Sequence, residues 1–159
     1  MEDEELAKTE KFIKRLKEDY PEIKFRNKTK RFSYQLRGAV PVVFLGEPQP
    51  NFALLTLHEL GHALCKHKDY KVDVERIKIE SAAWERAKTV LLEYRKKAQT
   101  ETGLATILPE WDEDFVQDKM DTYRDWLHAR SRCKKCGLTR YQTDDGKYHC
   151  PRCETFTLA

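Results

Sequence analysis

The chain has 159 residues, enough for one main domain and a small appendage. Its formal net charge is +3 with 36% charged residues, a mixed surface that excludes a histone-like or membrane-coating balance. No stretch has the apolar length of a membrane span, and the acidic start Met1-Glu2-Asp3-Glu4-Glu5 lacks the basic-then-apolar order of a secretory leader, so a cytoplasmic protein without a membrane partner is expected.

Residues 3–19 predict a helix with acids in its first turn and Leu6, Ile13 and Leu16 turned inward. Tyr20-Pro21 ends it. Ile23-x-Phe25 and Phe32-x-Tyr34-x-Leu36 alternate like half-buried strands. After a turn at Gly38, residues 39–45 read as a third strand. Pro41 cannot donate a ladder hydrogen bond, which predicts an edge position for it. Residues 51–66, 75–98 and 112–130 predict three more helices, with Gly103 and Pro109 bracketing the loop before the last. The apolar face of that last helix is Phe115, Val116, Met120, Tyr123, Trp126 and Leu127, a spacing suited to core packing. Only Arg130-Ser131-Arg132 joins it to a cysteine-rich end, so a rigid attachment is expected. The expected domains are residues 1–130 and 131–159.

Within the helix at 51–66 stands His58-Glu59-Leu60-Gly61-His62. Histidines at i and i+4 share a helix face, where two imidazoles can bind one Zn²⁺ and the intervening Glu59 can take a proton from water. Asn51 is a candidate N-cap. The flanking run Phe52-Ala53-Leu54-Leu55-Thr56-Leu57 and Ala63-Leu64 makes this helix apolar on nearly all sides, hence interior. Two histidines and a glutamate are costly there without partners. The plain alternative is a core helix with hydrogen-bonded polar residues. Gly61 weakens the helix by about 1 kcal/mol relative to Ala, and its bare backbone can admit a close-lying strand.

A catalytic zinc needs a third protein ligand. On the helix at 75–98, Ile77, Glu80, Ala83, Trp84, Ala87, Leu91 and Tyr94 share one stripe, with Glu80 its charged member. Glu85 falls about 140° away. A carboxylate on the buried face needs a cation, which zinc or a buried salt bridge can provide. His67 follows His62 too closely to fold back unless the helix stops at once, and reads as a surface residue.

Cys133-x-x-Cys136 and Cys150-x-x-Cys153, separated by thirteen residues, have the spacing of a closed four-thiolate zinc site. Gly137 can supply the positive φ of a knuckle. The segment from Leu138 to His149, with Asp145-Gly146 in it, reads as a hairpin. The expected product is a structural zinc ribbon. Disulfides are the alternative. Cys65 is expected to be a buried free thiol. The ribbon carries Arg130, Arg132, Lys134, Lys135, Arg140, Lys147 and Arg152, with Tyr141, Tyr148 and Phe156 nearby, a composition that can contact nucleic acid or simply keep a small ribbon soluble.

His-Glu-Leu-Gly-His followed by Glu80-Ser81-Ala82-Ala83-Trp84 resembles a gluzincin metallopeptidase and, within that clan, the ImmA/IrrE type, over about residues 22–95. The resemblance implies an α+β, zincin-like core, with a small antiparallel sheet beside the active-site helix. It implies zinc on His58, His62 and Glu80, with Glu59 as general base in hydrolysis of a peptide or protein substrate. An edge strand beside the catalytic helix would then bind substrate backbone. In many gluzincins the residue four after the ligand Glu is an Asp that buttresses a ligand His. Here it is Trp84, so that support must come from elsewhere. Tyr94, Tyr123 and His128 are oxyanion donors by residue type alone. The expected cofactors are two Zn²⁺, one catalytic and one structural. The layout is also similar to SprT-type, DNA-associated proteases, whose third ligand is a His, absent here. A further alternative is a non-catalytic binding module derived from a zincin.

Overall fold

The computed structural model describes residues 3–27 and 31–154. Phe156, one of the aromatic residues noted beside the ribbon, lies outside them. The chain is mixed α/β with two small sheets.

Helix α1 spans Asp3–Asp19 and buries Thr9, Phe12, Ile13 and Leu16. Strands β1 (Lys24–Asn27), β2 (Ser33–Arg37) and β3 (Val40–Leu45) form the first sheet. Helix α2 spans Phe52–Cys65 and α3 spans Asp73–Lys97. A short 3₁₀ turn at Ala105–Ile107 precedes α4 (Glu113–Ser131). Strands β4 (Tyr141–Gln142) and β5 (Tyr148–His149) make the second sheet.

The first sheet departs from two expectations. Its order is β1-β3-β2, with β1 parallel and β2 antiparallel to β3, so it is mixed and not antiparallel. Strand β3 is central and not at an edge. Its proline is tolerated because β1 begins pairing at Val42, which leaves Pro41 opposed only by Leu36 of β2. Between two neighbours and under α2, β3 buries every residue from Pro41 to Leu45, the run expected of a strand covered on both faces.

The chain falls into two compact units. One comprises Met1–Lys68 and Ala82–Asp112, the other Asp69–Ser81 and Glu113–Ala159. In the first, Phe12 and Leu16 of α1, Val43 of β3, Leu54, Leu57 and Leu60 of α2, and Val90, Leu91 and Tyr94 of α3 are almost wholly buried. Phe12 meets Tyr94 edge-on at 5.6 Å, and the Tyr94 hydroxyl donates to Asp19 at 2.6 Å.

In the second unit, α4 and the cysteine-rich end gather on the first residues of α3. Asp73, only 3% exposed, is their common anchor. Its carboxylate accepts from Arg130 Nε at 2.5 Å and from the Tyr148 hydroxyl at 2.7 Å, while its backbone N–H donates to Gln142 at 2.6 Å. Burial works against the ionised carboxyl, but the bonds from Arg130 and Tyr148 outweigh it and hold Asp73 below the usual carboxylate range. This explains why α4 groups with the ribbon. Of the expected α4 face only Val116 is fully buried. Tyr123 and Trp126 instead flank the Arg76 guanidinium, at 5.2 and 4.6 Å.

Candidate metal centres

Helix α2 carries the histidine pair. Asn51 precedes it in the left-handed conformation (φ 61°) and makes no side-chain cap bond. Asparagine serves there by tolerating that conformation, not by the expected side-chain capping. Ten residues from Phe52 to Ala63 are buried, His58 and His62 among them.

Gly61 sets the approach of the partner helix. A Cβ there would lie 2.2 Å from the carbonyl oxygen of Ala83, so its bare backbone admits α3 and not the expected strand. Ala83 and Trp84 are thereby pinned against α2. Because α3 is one unbroken helix, Glu80 stands one turn ahead of them on the same face. Glu80 is 9% exposed, whereas Glu85 is exposed.

The ligand atoms of His58, His62 and Glu80 all lie within 4.8 Å of one another, and all three residues are buried. His58 Nε2 and His62 Nε2 are 3.1 Å apart. Two nitrogens on one tetrahedral ion, at about 2.0–2.1 Å each, would be roughly 3.3 Å apart. The group could therefore hold a metal ion. Glu59, half-buried between the histidines on α2, is not among these ligands.

Aromatic rings back the histidines. Trp84 stacks on His58 at 4.2 Å between centroids. Tyr34 of β2 stacks on His62 at 6.0 Å with planes 8° apart. His67 Nδ1 lies 2.9 Å from His62 Nδ1. The sequence pattern puts Tyr34 on a half-buried strand and His67 at the surface, with no sign that either faces His62. His67 is half-buried because the condition for folding back is met: α2 stops at Cys65. Cys65, at that last turn, is exposed and not buried.

The three oxyanion donors named by residue type have other surroundings. The Tyr94 hydroxyl is engaged by Asp19, Tyr123 lies under Arg76, and His128 is exposed.

The second group is Cys133, Cys136, Cys150 and Cys153, whose sulfurs also lie within 4.8 Å of one another. Cys136 and Cys150 Sγ are 3.5 Å apart, against roughly 3.8 Å for two thiolates at about 2.3 Å from one tetrahedral ion. Turns supply the geometry. Gly137, at φ 75°, donates its N–H to Cys133 O at 2.9 Å, and Cys133 N–H donates to Leu138 O at 2.8 Å. The backbone N–H groups of Cys136 and Lys135 point at the Cys133 sulfur and hold its thiol down at about 6. Cys153 is pushed up to about 12, foremost by Cys136. That competition is what a bound dication removes. The four cysteines could hold a metal ion with no position left open. The hairpin between the pairs forms, with Gly146 at φ 82° in its turn.

Among the described residues no helix is long and apolar enough to cross a membrane. Comparison with known proteins finds no match to any family model, curated protein or solved structure.

Proposed function

We propose that this chain is a zinc-dependent metallopeptidase of the gluzincin type, resembling the ImmA/IrrE family and bearing a structural zinc ribbon. The observation that carries the reading is the convergence of His58, His62 and Glu80 at the α2–α3 crossing, with their ligand atoms within 4.8 Å. Two imidazoles and one carboxylate are a catalytic donor set for zinc, while four thiolates are a closed structural set. When bound at the first group, zinc would polarise a peptide carbonyl and lower the pKa of water.

The chain's own residues do the rest. His58, His62 and Glu80 would hold the ion, three protein ligands that leave a position for water or substrate. Glu59 takes the proton from the attacking water and passes it to the leaving amine. Nothing in a purely structural site requires Glu59, which favours catalysis over a non-catalytic module. Glu80 in the third position favours this reading over a SprT-type one.

The test is peptide hydrolysis by the zinc-loaded chain, read by mass spectrometry on a peptide library. Cleavage is expected from wild type and not from Glu59→Gln at equal zinc content. Full activity in zinc-loaded Glu59→Gln would contradict the general-base role. A nucleic-acid contact is a secondary proposal resting on exposed Arg132, Lys134, Lys135, Lys147 and Arg152. Arg130 and Arg140 are turned to internal partners, Asp73 and the Arg130 carbonyl. Salt-dependent binding of an oligonucleotide would be its signature.

A further inference from the structure

The two ring nitrogens of His62 face different neighbours. Nε2 faces His58 Nε2 at 3.1 Å, and Nδ1 faces His67 Nδ1 at 2.9 Å. The His62 and His67 rings are nearly perpendicular, at 76° with centroids 5.0 Å apart. For Nε2 to offer a lone pair to a metal, the proton of neutral His62 must reside on Nδ1. An N–H there needs an acceptor, and the nitrogen in place to accept is that of His67. Trp84, stacked on the other histidine, can offer only an indole N–H donor or its ring face.

A backbone distortion puts His67 there. Continued as a helix, the chain would carry residue 67 about 140° around the axis from residue 62. Instead Lys66 adopts the left-handed conformation, φ 52° and ψ 43°, with its N–H directed to the carbonyls of Ala63 and His62. His67 N–H then donates to His62 O at 3.2 Å. A lysine in this conformation is strained where glycine would not be, and retained strain of this kind often positions a functional group.

We propose that His67 is a positioning residue for the metal centre: its Nδ1 accepts the Nδ1–H of His62 and so presents His62 Nε2 to the ion. The inference rests on the metal-site reading above. Outer partners of this kind typically contribute 10–100-fold in metal affinity.

The experiment is chelator competition with zinc on the full chain, the four-cysteine metal serving as internal reference. His67→Ala should weaken one of the two metals by about 10–100-fold and leave the other unchanged. His67→Asn, whose Oδ1 can take the acceptor's place, should recover most of that loss. Equal affinity in wild type and His67→Ala overturns the proposal. So does a loss that Asn does not recover, which would mark a merely structural role. A second readout needs no variant. Nitrogen–proton NMR correlations of metal-loaded wild type should show the His62 Nδ1 proton hydrogen-bonded to His67 Nδ1 through a nitrogen–nitrogen coupling, and a His62 Nδ1 proton without that coupling overturns the proposal. A wild type holding only the ribbon's metal overturns the metal-site reading itself, so the two failures are distinct.

Discussion

His58, His62 and Glu80 project from the interiors of two helices of 14 and 25 residues. Cys133, Cys136, Cys150 and Cys153 sit on turns around a hairpin of two-residue strands. The first trio lies among buried apolar side chains of α2 and α3, among them Leu57, Leu60, Ala83 and Ala87. The four cysteines have almost no core of their own; Cys133 and Cys150 are themselves its buried members. The same atoms-within-reach geometry therefore means different things. Around the histidines the fold makes the site, and around the cysteines a metal would make the fold.

The comparison breaks first, and by the largest amount, if the cysteine metal is removed. Structural zinc in small domains is worth about 10–16 kcal/mol in apparent binding energy. Cys133→Ser with Cys136→Ser should unfold residues 132–154 while the buried helices persist, as hydrogen exchange would record. A ribbon that stayed protected would show that it folds without metal. Next in size is Glu59→Gln, expected to lower turnover by about 10²–10⁴-fold with zinc content unchanged.

Gly61→Ala probes the opposite claim, that packing makes the histidine site. Its Cβ would meet a backbone carbonyl at 2.2 Å, so a loss of about 1–3 kcal/mol is expected in denaturant melts. Unchanged stability would mean that α3 yields easily. Asp73→Asn should cost about 1–3 kcal/mol through the bonds from Arg130 and Tyr148. Because the folded carboxyl is depressed, its contribution is present above the unfolded value of about 3.9 and is lost as pH falls through the lower folded value. The gap between variant and wild type should close in acid. The smallest effect is Lys66→Gly, which relieves a left-handed lysine and should stabilise by up to about 1 kcal/mol.

Helix phase carries much of this structure. The 3.6 period along α3 separates Glu80 from Glu85 without any partner in view, and the structure buries one and exposes the other. The cysteine pairs and Gly137 were legible because turn chemistry is local. What was not legible depends on contacts across the chain. The central place of β3 follows from where β1 begins to pair, which Pro41 does not reveal. Gly61 announces a close approach but not that a helix makes it. His67 is the sharpest case, because its fold-back hangs on a left-handed residue that is lysine, not glycine, and so carries no local signal. Trp84 at the position of an expected Asp gives no hint that the nitrogen facing His62 Nδ1 lies five residues on along the same chain segment.

The most direct test of the account is zinc stoichiometry by elemental analysis of wild type, Glu80→Ala, and the double variant Cys133→Ser with Cys136→Ser. The account predicts two zinc ions per chain in wild type and one in each variant, from independent sites. A single zinc in wild type, lost only with the cysteines, would contradict it and leave His58, His62 and Glu80 as buried polar packing.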